Sequence, residues 1–216
     1  MRVGILGSGL VGAKLGTIFA RAGHDVTFSY ARSERKLARL AREAGSGARA
    51  GTPDEAARDA DTLLLAVHWS RINDVVRQAG DLSGKVVISC SLPMNRADTQ
   101  LVVARSSSGA ERLQQKIRSA HVVSAFNTVP SEVLFGVYRS RRRPRPNLVY
   151  CGDDAGAKKV ATKLIRDVGF EPVDAGPLEM ARYMEPYALL VARLAYEGEN
   201  GPGIAYRFER FTASNR

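Results

Sequence analysis

The stretch Arg2–Arg32, RVGILGSGLVGAKLGTIFARAGHDVTFSYAR, decides the fold. Val3 to Leu6 is a short apolar run, the pattern of a buried parallel strand. Gly7, Gly9 and Gly12 follow in the spacing G-x-G-x-x-G, and a helical segment starts behind them. Asp25 to Ser29 reads as a second strand, which closes the unit within about 30 residues. In such a unit each glycine has its own task. Gly7 turns the chain sharply, Gly9 keeps side-chain atoms away from a pyrophosphate, and Gly12 lets the helix lie close on the strand. The helix N-terminus then offers free N–H groups and a positive dipole end to the phosphates. The pattern predicts a dinucleotide-binding unit; a glycine turn without a ligand is the alternative.

The chain has 216 residues, enough for one full domain and a small addition. Apolar residues make up 44% and charged residues 25%, which suits a globular protein. No apolar run approaches the roughly 18 residues of a membrane span. The first residues enter a strand at once, so neither a leader nor a membrane anchor is expected, and the expected location is cytoplasmic. Cys90 and Cys151 have no metal or redox spacing; buried free thiols are expected, and no metal site. The formal charge of +10 needs an account. No recognition helix, zinc spacing or aromatic platform points to nucleic acid. A positive cleft for small anions or a solvated basic surface remains.

Strand and helix patterns alternate along the chain. Ser33–Arg42 reads as a basic helix with Ser33 as N-cap. Ala48–Ala50 suits a short edge strand. Thr52-Pro53-Asp54-Glu55 has the cap, proline and acids of a helix start. Thr62–Val67, Lys85–Cys90 and His121–Phe126 read as buried strands, and Trp69–Gln78 and Ala110–Arg118 as helices. Asn147–Cys151, Asp154–Asp167 and Phe170–Val173 add a strand–helix–strand piece. The alternation predicts an α/β, doubly wound, mostly parallel sheet of the Rossmann type. From Pro177 the pattern changes. Met184, Tyr187, Ala188, Val191, Leu194 and Ala195 recur at helical spacing, so residues 177–216 are set apart from 1–176 as a small C-terminal helical part.

The end of the second strand indicates which dinucleotide. A unit for NAD places an acid there to bond the ribose 2′-OH. Here the chain reads Ser29-Tyr30-Ala31-Arg32-Ser33, with Arg35 and Lys36 one turn on. A hydroxyl and cations in that place favour a 2′-phosphate, hence NADP; a solvated helix start is the alternative. Open sheets bind ligands at the carboxyl ends of their strands. That rule brings Ala66-Val67-His68-Trp69, Ser89–Pro93 and Ala125–Pro130 to the cleft. His68 is a candidate acid or base, or simply exposed. Asn127 and Thr128 are candidates to hold a carboxamide, or are strand-end turn residues. No nucleophile triad, metal cluster or carboxylate pair accompanies them. Such a site suits hydride transfer between two bound rings, where positioning suffices.

Six segments occur in order: GSGLVG (7–12), AVHW (66–69), LVVARSSSGAERLQ (101–114), AFNTVPSEVL (125–134), YCGDD (150–154) and VDAGPLEMARYMEP (173–186). Together they resemble the coenzyme F420-dependent NADP oxidoreductase family in its bacterial branch, from Met1 to about Tyr196. That family is similar to the oxidoreductase domain of membrane ferric reductases. The resemblance implies a Rossmann domain, a C-terminal helical part that completes the substrate cleft, and a homodimer. It implies reversible hydride transfer between NADP(H) and the deazaflavin coenzyme F420. It carries the phosphate loop to Gly7, Ser8, Gly9, Leu10 and Val11, and the 2′-phosphate contacts to Ser29 and Arg32. It carries the nicotinamide side to Val67, His68 and Ala125 to Thr128. Family members commonly have proline where His68 stands and a T-N-P-like turn where this chain has Ser91-Leu92-Pro93. A flavin, quinone, imine or ketone is therefore an alternative acceptor, and a non-catalytic NADPH sensor a third reading. Five arginines between Arg139 and Arg145 suit the anionic tail of the deazaflavin coenzyme, or a solvated loop.

Overall fold

The structure, a computed structural model, describes residues 1–31, 33–103, 106–199 and 201–211. Eight strands form one sheet: β1 (Arg2–Leu6), β2 (Asp25–Ser29), β3 (Arg49–Ala50), β4 (Thr62–Leu65), β5 (Val86–Ser89), β6 (His121–Ser124), β7 (Asn147–Gly152) and β8 (Glu171–Asp174). Their spatial order is β3-β2-β1-β4-β5-β6-β7-β8. The helices are α1 (Leu10–Arg21), α2 (Glu34–Ala44), α3 (Pro53–Arg58), α4 (Ile72–Ala79), α5 (Gly109–Lys116), α6 (Leu134–Arg139), α7 (Ala155–Val168) and α8 (Ala181–Tyr196).

The order reverses between β1 and β4, which opens a crevice at the carboxyl ends of these two strands, where such sheets take ligands. β1 to β6 are parallel. β7 runs antiparallel to β6, with Val123 opposite Gly152 and Ser124 opposite Cys151. After β6 the chain stays at the carboxyl edge through α6, so β7 has to run back across the sheet. β8 pairs parallel with β7 through the crossover α7.

Each face of the sheet is covered. Leu15, Phe19, Leu37, Leu134, Leu164 and Ile165 of α1, α2, α6 and α7 pack on one side. Ala57, Ile72, Val75, Leu113, Ala181 and Met184 of α3, α4, α5 and α8 pack on the other. Side chains fix the helix starts. Ser33 accepts from the Lys36 N–H, Thr52 and Glu55 form a reciprocal capping box, and Asp154 accepts from the Ala157 N–H at 2.6 Å.

Several elements differ from the sequence reading. Trp69–Arg71 is a separate 3-10 turn before α4. α6 follows the Pro130 turn, is only six residues long, and gave no periodic signal. α8 begins at Ala181, ahead of the apolar spacing. Met94 and Leu101 form an isolated bridge inside the connection from β5 to α5. Cys151 is fully buried, and burial with nearby carboxylates pushes its thiol up to about 12; Cys90 is only half-buried. No helix among the described residues is long and apolar enough to cross a membrane. Among the same residues no group of His, Cys, Asp or Glu is placed to hold a metal.

The last segment lies along β7. The Asn147 N–H donates to the Tyr206 carbonyl at 2.8 Å, and the Phe208 N–H to Asn147 Oδ1 at 2.6 Å. The Tyr206 hydroxyl accepts from the Val149 N–H at 3.1 Å and meets Thr128 Oγ1 at 2.7 Å. α8 is tied to the start of α5. Arg182 pairs with Glu111, and Glu185 accepts from the N–H groups of Gly109 and Ala110. These contacts explain the AR–EP spacing in residues 181–186 as a clamp between helices.

Candidate functional site

A cleft of about 1180 Å³ opens at the crevice between β1 and β4. Its floor is the glycine loop. Gly7 has φ +112°, and a Cβ there would meet the Ala66 carbonyl at 2.5 Å. Its N–H donates to the Ser29 carbonyl, and that of Ser8 to the Tyr30 carbonyl. A Cβ on Gly12 would run into the Gly7 carbonyl, so helix and loop touch only because both are glycines. At Gly9, by contrast, an added Cβ meets nothing within 4 Å. Gly9 is the N-cap of α1, which has no side-chain cap and no acid in its first turn. The first N–H groups of α1 therefore have no side-chain acceptor from a cap, and the space beside Gly9 is open, an arrangement suited to a phosphate.

The cleft lining contains Gly7, Ser8, Gly9, Leu10, Lys36, Val67 and His68 from the residues singled out in the sequence. Gly12 and Val11 lie behind the loop, one buried and one packed against the core. Ser29 is not at the surface. It is fully buried, and its hydroxyl donates to the Ile5 carbonyl at 2.8 Å. The hydroxyl expected at a 2′-phosphate is therefore engaged within the sheet. Arg32 lies outside the described residues. Ala125 is fully buried in the core. Thr128, a candidate to hold a carboxamide, is buried with its hydroxyl engaged by Tyr206 at 2.7 Å. Asn127 donates to Ser124 Oγ at 3.1 Å, while its Oδ1 is buried without a partner. Neither Ala125, Asn127 nor Thr128 lines the cleft.

His68 is held at both nitrogens. Nδ1 accepts from the Ser70 N–H at 3.2 Å, which puts the proton of the neutral ring on Nε2. Nε2 then donates toward Asp98 Oδ1 at 3.1 Å and the Asn95 carbonyl at 3.3 Å. The ring bridges the end of β4 to the connection before α5.

The cleft has further walls that the sequence did not single out. Lys14, Arg39 and Arg71 add to Lys36, against one acid, Glu34, which gives a positive lining suited to an anion. Lys14 sits one turn into α1 and also reaches Ser131. Arg39 follows Lys36 by nearly one turn, a spacing that could have flagged it. Tyr30 has φ +55°, unusual for a bulky side chain, and its hydroxyl donates to Asp74 at 2.6 Å. Burial and that bond push its phenol up, and the same bond holds Asp74 below the usual carboxylate range. Phe126, buried at φ +63°, is a second strained residue at a strand end. The arginines of the basic loop stand elsewhere. Arg143 and Arg145 line a separate cavity of about 650 Å³ with Arg166 and Arg207.

A doubly wound sheet, a glycine loop without side-chain caps and a cationic cleft at the strand reversal define a nicotinamide-dinucleotide domain of the Rossmann class. The family described as NADP oxidoreductase, coenzyme F420-dependent, matches residues 2–93. The F420-dependent NADP reductase of Methanocaldococcus jannaschii is 30% identical over 158 residues, covering 69% of this chain and 69% of that protein. The chain belongs to the coenzyme F420-dependent NADP oxidoreductase family.

Metalloreductase STEAP3 of Rattus norvegicus is also 30% identical, over 188 residues and 87% of this chain, but the chain spans only 36% of that protein's length. A crystal structure from Arthrobacter sp. FB24, provisionally called an F420-dependent NADP-reductase, has a TM-score of 0.85 at 22% identity. It covers 97% of this chain and 100% of its own. A reductive aminase from Aspergillus terreus, in complex with NADPH and ethyl levulinate, has a TM-score of 0.64 at 18% identity, over 88% of this chain and 60% of its own. These two structures speak to the fold alone.

Proposed function

We propose that the protein transfers a hydride between NADP(H) and the deazaflavin coenzyme F420. The observation that carries the reading is the uncapped, cation-rich dinucleotide cleft, beside which, among the described residues, His68 and Thr128 are already engaged within the protein. His68 is engaged at both nitrogens, and the Thr128 hydroxyl is taken by Tyr206. Reduction of a carbonyl or imine needs a proton delivered to the acceptor heteroatom. Hydride transfer to C5 of the deazaflavin needs orientation above all, and the reduced ring takes its N1 proton from solvent. NADPH supplies the hydride when bound. Gly7, Ser8, Gly9, Leu10 and the α1 N-terminus would hold its pyrophosphate, Lys36 its 2′-phosphate, and Val67 its nicotinamide end.

The test mixes purified protein, NADPH and oxidised coenzyme and follows the absorbance band for which the coenzyme is named. Bleaching is expected. Oxidation of NADPH by flavins, quinones or imines but not by the deazaflavin would replace the acceptor. Tight NADPH binding with no turnover on any acceptor would make the protein a sensor.

In the same reading residues 1–176 bind the nucleotide and residues 177–216 complete the acceptor side and join two copies. α8 leaves Tyr183, Leu190 and Leu194 more than half exposed, at helical spacing on one stripe. A second copy would cover that stripe by the same residues. Sedimentation should show a dimer that L190D/L194D converts to monomer; an unchanged monomer in the parent protein removes this part. The reading places the protein in the cytoplasm, where both thiols stay reduced. It assigns no nucleic-acid or membrane partner; salt-sensitive retention on a DNA column in the presence of NADPH would argue against that.

A further inference from the structure

Four arginines line the separate cavity of about 650 Å³. It lies where β7 and β8 begin, with Asn147 paired opposite Glu171. It shares no lining residue with the dinucleotide cleft. Its arginines come from distant parts of the chain. Arg143 and Arg145 belong to the loop before β7, Arg166 to the last turn of α7, and Arg207 to the terminal segment along β7. A solvated charge run spreads its cations into water; here the fold gathers them around one hollow, where like charges repel.

The backbone holds that gathering in place. The Asn147 N–H donates to the Tyr206 carbonyl at 2.8 Å, and Asn147 Oδ1 accepts from the Phe208 N–H at 2.6 Å, so Arg207 is pinned on both sides. The Glu171 N–H donates to the Pro146 carbonyl at 2.8 Å, next to Arg145. Arg145 is fixed at its head as well. Its Nη1 donates to the Val137 carbonyl at 3.1 Å, in space left by Gly169, where an added Cβ would come within 2.8 Å of that nitrogen.

The opposing charge is smaller. One acid, Glu171, lines the cavity, and Glu209 pairs with Arg207. The carboxyl end of α7 brings a weak negative pole, but the N–H groups of Gly169 and Phe170 take the carbonyls of Arg166 and Ile165. Among the described residues the guanidinium groups of Arg143 and Arg166 make no hydrogen bond or ion pair, and both side chains are exposed.

We propose that this cavity is a second anion site, for a small ligand that carries two or more phosphate or carboxylate groups. Guanidinium forks bind either group by paired N–H bonds. The volume falls within the range of small-ligand sites, roughly 300–1,000 Å³. A bound polyanion offsets the repulsion among the arginines and joins the loop, α7 and the terminal segment. The proposal stands apart from the hydride acceptor and from the reading of the dinucleotide cleft.

The experiment titrates tripolyphosphate and triglutamate, at constant ionic strength, into the parent protein, R143A/R166A, K36A and R42A/R118A. Arg143 and Arg166 are exposed and unpaired among the described residues, so their double variant should melt with the parent. The parent is expected to bind at least one of the two anions, and R143A/R166A to bind it at least tenfold more weakly. K36A and R42A/R118A should match the parent. Binding of tripolyphosphate alone assigns the site to a phosphate ligand, and comparable binding of triglutamate to a carboxylate chain; either result supports it. In the parent, the bound anion should also slow amide exchange across residues 139–146 and at Phe208. No binding by the parent, or unchanged exchange there, overturns the proposal. So does an equal loss in R42A/R118A, which would reduce the effect to net charge, or a loss in K36A alone, which would place the anion in the dinucleotide cleft.

Discussion

The Glu185 carboxylate on α8 accepts a hydrogen bond at 2.9 Å from the backbone N–H of Gly109, the first residue of α5 and 76 positions earlier in the chain. A second bond from Ala110 N–H completes the pair. The group is 1% exposed, and its burial raises the carboxyl to about 7 against the pull of both donors. An acid in this state makes stability depend on pH in the direction opposite to an ordinary ion-paired carboxylate.

The folded protein holds the Glu185 proton more tightly than the unfolded chain, where the carboxyl titrates near 4.5. The contribution is full below about pH 4.5 and is lost as pH rises through about 7. Between those limits the unfolding free energy of the parent protein should fall relative to E185Q by ~3 kcal/mol. Denaturant melts at several pH values give the difference curve. A flat curve would mean that Glu185 titrates as it does in water.

Gly9 and Gly12 should behave in opposite ways. Gly9→Ala meets open space and should leave the melting temperature nearly unchanged. Its methyl group would stand where the pyrophosphate approaches, and NADPH should bind about tenfold more weakly. Gly12→Ala forces α1 off the loop and should cost about 1–3 kcal/mol of stability. Thermal melts with and without NADPH separate the two effects.

Two residues first grouped at the 2′-phosphate should also diverge. Lys36→Ala should cost NADPH about 1.5–3 kcal/mol more than NADH, the value of a bond to a charged group. Ser29→Ala should leave that preference as it is and lower stability by about 1 kcal/mol through the bond lost to Ile5. Paired titrations with both dinucleotides decide. An altered preference in S29A would return the hydroxyl to the nucleotide.

Tyr206→Phe removes the acceptor of the Val149 N–H and the partner of Thr128 together. A loss of about 1–3 kcal/mol is expected for the backbone donor left unpaired. Thr128→Val should add little on top of Tyr206→Phe, because both lose the same bond. Additive losses in the double-mutant cycle would show that the two hydroxyls are not coupled.

The opening βαβ unit was legible because all of its signals are local. A four-residue apolar run, three glycines at fixed offsets and the Ser33 cap act within one or two turns of chain. The alternating elements gave the sheet in the same way. The reversal of β7 was not legible, since it depends on α6, a six-residue helix without periodicity. Ser29 was expected at the 2′-phosphate, but its hydroxyl is buried and donates to the Ile5 carbonyl of the neighbouring strand, a contact that the local sequence does not announce. Thr128 and Tyr206 are 78 residues apart, and nothing in either neighbourhood announces the other. Arg71 lacked a pattern because it belongs to a single 3-10 turn, and a lone exposed arginine looks like any other solvated charge.

The tail along β7 bears on how the chain comes to life on the ribosome. By the time Asp174 has emerged all eight strands exist, yet the amino end of α5 still lacks Glu185, and Thr128 and the Val149 amide still lack the Tyr206 hydroxyl. Contacts between distant parts of a chain form late and slowly. Nascent protein should therefore pass through a stage with its sheet paired and its carboxyl-edge loops unset. Such a stage leaves the Asn147 and Val149 amides of β7 and the partner surfaces of α8 uncovered, and it is there that chaperones would find something to hold.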